Sequence, residues 1–100
     1  MLSSGPGFQI ARLTIKPLQQ IASHWHRHRD EQWVVARGTA HVRVDGTEHT
    51  LGRGQAVEVP RTVEHYVENI SSVDPVELIE VRTGDYLDAD DVVETEPQSE

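Results

Sequence analysis

The sequence predicts an all-β domain, either an antiparallel sandwich or a small barrel. Three observations carry that expectation. Short segments rich in Val, Ile and Thr recur along the chain at roughly 8–12-residue spacing. Gly, Pro or Asp stands between them. No stretch before the last residues carries the apolar period of a helix. The 100 residues suffice for a single domain with one modest core.

The segments follow in order. Phe8 to Ile15 alternates apolar and polar residues and stops at Lys16-Pro17. Gln20 to His26 is extended, and Glu31 to Ala36 is a further strand. Arg37-Gly38 turns the chain into Thr39 to Val44, and Asp45-Gly46 is a two-residue hairpin signal leading into Thr47 to Leu51. Gly52-Arg53-Gly54 precedes Ala56 to Val59, which Pro60 ends; His65 to Asn69 and Val76 to Val81 complete about eight strands. Residues 1–8 read as a flexible lead, 9–83 as the β-domain, and 84–100 as an acidic tail ordered to about residue 93, with a turn or short helix near 88–93.

The formal charge of −8 is unevenly spread. Of the 17 acidic residues, seven (Asp85, Asp88, Asp90, Asp91, Glu94, Glu96, Glu100) lie in the tail, which has no Lys or Arg. The body is therefore near neutral and the tail is expected to be a solvated acidic end. No basic stripe with interleaved aromatics points to nucleic acid, and no run of 18 apolar residues points to a membrane. The start, Met1 to Gly7, lacks the basic-then-apolar layout of a secretory signal. With no cysteine, disulfides and thiolate metal sites are excluded, and the expected compartment is a reducing cytoplasm.

The stretch "SHWHRHRDEQW", residues 23–33, concentrates the chemistry. His24 and His26, two apart on a strand, project from one face and bring two imidazoles together. Glu31 opens the next strand and offers a carboxylate; His65 begins a later one. Imidazole plus carboxylate suits Zn, Mn, Fe, Co or Ni. A competing register uses His26, His28 and Gln32 with His65. His41 and His49 are expected on solvent faces, and Trp33 in the core.

The spacing His24-x-His26-x4-Glu31-x6-Gly38 resembles the first motif of the cupin family. Gly54-x5-Pro60-x-Thr62-x2-His65-x3-Asn69 resembles its second, with Thr62 where that family usually has glycine. The resemblance implies a cupin barrel (a double-stranded β-helix or jelly roll) with His24, His26, Glu31 and His65 pointing inward near one mouth to hold a divalent metal ion. His28 then lies near the site without ligating.

"KP" at 16–17, "HRDEQWVVARGTAHVRVDG" at 28–46 and "VELIEVRTGDYLDADDVV" at 76–93 resemble the cupin domain of type II mannose-6-phosphate isomerases, which often forms the C-terminal part of mannose-1-phosphate guanylyltransferases. Three positions depart from that pattern. The family usually has Gln where this chain has His24 and His where it has Gln32, and its basic end is replaced here by Val93-Glu94-Thr95-Glu96-Pro97. These residues include no nucleotidyltransferase segment, so guanylyl transfer is not expected of them.

The resemblance implies aldose–ketose isomerisation of mannose 6-phosphate and fructose 6-phosphate, with a Lewis-acidic divalent metal. His28 and Glu80 are the candidates for moving the proton, and Arg29 and Lys16 for holding phosphate. The acidic end instead favours two other readings, a metal-dependent oxygenase of a small organic substrate or a non-enzymatic sugar- or metabolite-binding cupin. The partner in each case is a small molecule, and Val-rich edge strands suggest a homodimer.

Overall fold

The structure, a computed structural model, describes residues 1–94. Its strands are β1 (Ser3–Gly5), β2 (Phe8–Ile15), β3 (Gln20–Trp25), β4 (Arg29–Arg37), β5 (Ala40–Val44), β6 (Thr47–Leu51), β7 (Ala56–Val59), β8 (His65–Glu68), β9 (Val76–Gly84) and β10 (Val93–Glu94). They form two five-stranded antiparallel sheets, ordered β1-β2-β9-β4-β7 and β10-β3-β8-β5-β6. The described residues contain no helix, and hence none long and apolar enough to cross a membrane.

The topology is that of one long hairpin wrapped on itself. Its tip is Asp45-Gly46, where φ is positive at both residues (50° and 78°), as this tight turn requires. Outward from the tip, β5 pairs with β6, β4 with β7, β3 with β8 and β2 with β9. Successive pairs fall in opposite sheets, which is the jelly-roll winding that the cupin resemblance implies. The additional pairings β4·β9 and β5·β8 join the ribbon into its two sheets.

Along each lining strand the inward residues change from polar to apolar. On β4 they run Arg29, Glu31, Trp33, Val35; on β9, Arg82, Glu80, Leu78, Val76; on β2, Gln9, Ala11, Leu13, Ile15. Antiparallel register sets these series side by side, so Gln9, Arg82 and Glu31 share one level and Ala11, Glu80 and Trp33 the next. The barrel thus has an ionisable mouth over an apolar floor of Ile15, Val35, Ala40, Val42, Leu51, Val67, Val76 and Leu78. At the floor, the buried Asn69 of the second motif donates to the carbonyls of Ile15 and Asp74 (3.1 and 2.7 Å) and accepts from the Ser71 amide (3.0 Å). It ties the turn between β8 and β9 to the end of β2.

Three expectations need correction. The lead is not free: Ser3 to Gly5 fold back on β2, and the Leu2 amide bonds the Ile10 carbonyl at 2.7 Å. The tail is a turn followed by β10, which pairs with β3; Asp91 within it is buried, so this stretch is not a solvated end. Residues 95–100 of the acidic run lie outside the described residues. His49 stands opposite Val42 and is half-buried on an inner-facing edge rather than solvent-facing.

Candidate metal centre

His24 and His26 reach the barrel interior through a bulge. Ile21 pairs with Val67, but His24, three residues on, pairs with His65, only two residues back. The extra residue on β3 shifts the inward set from odd to even positions. Without it the two imidazoles would face solvent. His65 begins β8 on the same level, and its side chain is almost wholly buried at 1% exposure.

The three rings are held alike. Nδ1 of His24 lies 2.8 Å from the Ala22 carbonyl oxygen, that of His26 2.6 Å from the Asp91 carbonyl oxygen, and that of His65 3.0 Å from the Val63 carbonyl oxygen. A carbonyl oxygen only accepts, so each Nδ1 carries a proton, and the tautomer this selects for a neutral ring is the one that presents a bare Nε2. Ligand atoms of all three rings lie within 4.8 Å of one another, and the Nε2 atoms of His24 and His65 are 3.1 Å apart. In the Nδ1–H tautomers two lone pairs face each other at that distance, a contact that a cation between them relieves. Adjacent nitrogens on a metal at about 2.1 Å stand about 3.0–3.4 Å apart. The donor set therefore fits a divalent ion.

Glu31 lies beside this set. Its Oε2 is 3.3 Å from His26 Nε2 and accepts from Arg29 Nε at 2.6 Å, while Oε1 accepts from Trp33 Nε1 at 2.8 Å. Burial pushes the Glu31 carboxyl up, but the Arg29 guanidinium and the Trp33 N–H outweigh it and hold the group below its ordinary range. Arg29 Nη2 also lies 3.2 Å from His26 Nε2. In effect the guanidinium supplies the positive charge that a crowd of acceptors demands. Burial holds His26 below its ordinary value and brings His65 down to about 4, so both are neutral, ligand-ready rings at neutral pH.

Deeper in, Glu80 accepts from Arg82 Nη2 and Nε at 2.8 and 3.2 Å. Burial, then the Glu31 charge, raises its carboxyl above the ordinary range despite Arg82. Gln9 Oε1, one level from Glu80, is buried without a partner. Trp33 packs at 2% exposure as expected, its ring 5.4 Å from that of His65.

The structure brings His24, His26, His65, Glu31, Arg29 and Glu80 together and leaves two expected site residues apart. The exposed His28 turns its ring to Tyr86, centroids 5.5 Å apart, on the wall of an outer hollow of about 480 Å³. Lys16 follows Ile15, which pairs with Val76, whereas Glu31 pairs with Arg82. At about 3.4 Å per residue, that separation along β9 is about 20 Å, so Lys16 belongs to the far end of the barrel and cannot share a ligand with Arg29. Gln32, of the competing register, is exposed and bonds Glu58 at 3.4 Å on the outer face.

Asp91 was missed. Its carbonyl holds His26, and its carboxylate accepts the amides of Arg27 and His28, both at 2.9 Å. Those amides outweigh burial and hold the carboxyl below its ordinary range. The signal was the "GDYLDADDVV" stretch, whose acidic composition masked one inward aspartate.

The chain is similar to known proteins in both sequence and fold. Residues 1–97 match the family described as mannose-6-phosphate isomerase C-terminal. A mannose-1-phosphate guanylyltransferase of Escherichia coli (strain K12) is 41% identical over 92 residues, 92% of this chain and 19% of that protein. The xanthan biosynthesis protein XanB of Xanthomonas campestris pv. campestris (strain B100) is 38% identical over 95 residues, covering 95% and 20%. The chain spans about a fifth of the length of these relatives. Among solved structures, a double-stranded β-helix protein from Klebsiella pneumoniae superposes with a TM-score of 0.79 at 21% identity, covering 96% of this chain and 81% of its own. The Schizosaccharomyces pombe Cnp3 cupin domain does so at 0.77 and 18%, covering 85% and 61%. At such identities these two likenesses speak to the fold alone. Matched over residues 1–97 and wound as a cupin barrel, the chain belongs to the mannose-6-phosphate isomerase C-terminal family.

Proposed function

We propose that this chain is a metal-dependent aldose–ketose isomerase acting on mannose 6-phosphate and fructose 6-phosphate, with His24, His26, His65 and Glu31 as the metal ligands. The observation that carries the reading is the convergence of three imidazoles whose Nδ1 protons are all committed to backbone carbonyls. A divalent ion bound there supplies Lewis-acid stabilisation to negative charge developing on sugar oxygens.

The chain's own residues take the remaining roles. Glu80 is the group that accepts and returns the proton between the two sugar carbons. It lines the barrel, and its raised carboxyl lies closer to a working pH than an ordinary glutamate. His28, the other candidate, faces Tyr86. Trp33 and Arg29 orient Glu31, and Arg29 is the anion-facing cation of the mouth. The open edges of β1, β7, β6 and β10 support a homodimer; a concentration-independent monomer by light scattering would remove that part.

One observation favours a second reading, an unphosphorylated sugar or metabolite as ligand. Both barrel guanidiniums are already engaged, Arg29 with Glu31 and Arg82 with Glu80, and Arg61 at the rim is paired with Asp30 at 3.1 Å. The test is a coupled assay with purified chain reloaded with Zn, Mn, Fe, Co or Ni, run on mannose 6-phosphate and on mannose. Turnover of the phosphosugar supports the first reading. Turnover or thermal shift with mannose alone supports the second. No response to either sugar with any metal refutes both.

A further inference from the structure

We infer that Asp91 is a positioning residue for the metal centre, and that the strap from Tyr86 to Glu94 is the clamp that sets the orientation and tautomer of His26. The inference rests on the metal-centre reading and extends it to a segment outside the ligand set.

Four observations meet at this residue. Asp91 is only 5% exposed within a run of acids that is otherwise largely at the surface. Its backbone carbonyl receives the His26 Nδ1 proton at 2.6 Å, the shortest of the three imidazole–carbonyl contacts. Its carboxylate takes the amides of Arg27 and His28, the two residues that follow His26. Val93 and Glu94 then pair with Trp25 and His24, so the strap is fastened to the chain both before and after His26.

The arrangement differs from that of the other two rings. His24 and His65 each bond the carbonyl of the residue two positions before them, a contact the local backbone supplies by itself. The partner of His26 lies 65 residues away. His26 also has Arg29 and Glu31 against its Nε2, and either can draw the ring out of line. A remote partner holds it only if the partner's own position is fixed, and the two amide bonds to the carboxylate do that. Hydrogen-bond partners behind a metal-ligating histidine set the tautomer and ring direction and typically matter 10–100-fold in metal affinity.

The test compares Asp91→Ala, which loses both amide bonds, with Asp91→Asn, which keeps one acceptor, in the full chain. The control is Val76→Ala at the opposite end of the barrel, which lowers stability without approaching the histidines. Two readouts are taken: Co²⁺ affinity from its absorption band, and the His26 tautomer in metal-free protein from imidazole ¹⁵N shifts. Asp91→Ala is expected to weaken Co²⁺ binding about 10- to 100-fold and to mix the His26 tautomers. Asp91→Asn should fall between it and the parent, and Val76→Ala should bind Co²⁺ within about twofold despite a lower Tm. An Asp91→Ala protein that keeps a pure Nδ1–H tautomer overturns the inference, as does one with parental Co²⁺ affinity. If the parent itself binds no Co²⁺, the metal reading fails, and the tautomer readout still decides whether the strap orients His26.

Discussion

Replacing Thr62 by glycine removes a conformational strain that this chain carries within its second motif. Thr62 sits at φ 67°, a left-handed region that costs an L-residue about 1–2 kcal/mol and is least tolerated by a β-branched side chain. The residue is exposed, so its side chain contributes little packing. The useful contact is made by its backbone: the Thr62 amide donates to the His26 carbonyl at 2.6 Å, which any residue can do. Glycine adds about 0.4–1 kcal/mol of unfolded-chain entropy to be lost on folding. The balance is a net stabilisation of about 1 kcal/mol, or a rise of about 4–8 °C in Tm for a domain of this size. Urea denaturation of metal-free protein at neutral pH, with calorimetry alongside, measures it. Asparagine, which tolerates this region, should give part of the gain, and alanine less. A glycine variant less stable than the parent, or an alanine variant more stable than the glycine one, would show that φ at residue 62 is not strained as described.

Acid should destabilise the metal-free protein through His65. Its pKa is about 4 in the fold against an ordinary 6.5, so the unfolded chain binds the extra proton. The stability involved is whole above about pH 6.5 and is lost as pH falls toward 4, by about 3 kcal/mol at most. His65→Gln should flatten urea midpoints over that window relative to the parent; equal slopes would contradict the burial assigned to it. Arg29→Ala leaves Glu31 buried without its cation and should cost about 3–5 kcal/mol in chelator. Part of that loss should return with Zn²⁺, which replaces the guanidinium as counter-charge, and a loss unaffected by metal would separate Glu31 from the ligand set. If the isomerase reading holds, Glu80→Gln should lower kcat at least about 100-fold, whereas Lys16→Ala should leave kcat and KM within about twofold. A large KM effect at Lys16 would contradict its place at the far end of the barrel.

What could be read along the chain was local or periodic. Strand positions followed from alternation and punctuation, so β6 and β7 matched their expected bounds, and Asp45-Gly46 formed its tight turn. Histidines spaced by two announced a shared face. The winding of the ribbon was not local in this sense: it was implied by the resemblance of two motifs, at 24–38 and 54–69, to the cupin family. Strand bounds, the tight turn and the shared face of His24 and His26 depend on residues a few positions apart, whose geometry the backbone transmits directly.

Tertiary structure decided the rest, because it depends on register between distant strands. A single inserted residue between Ile21 and His24 turns the imidazoles inward. The pairing of β2 with β9 puts Lys16 about 20 Å from the mouth. Arg29 and Lys16, both candidates in the sequence for holding phosphate, part company: one is buried against Glu31 and the other exposed. Asp91 finds His26 across 65 residues, a contact that exists only once β10 has docked on β3. Residue types and their periods determined an all-β domain, sandwich or small barrel, with two imidazoles on one face; which further groups join them, and which charges face them, was settled by long-range strand pairing, whose register no local pattern records.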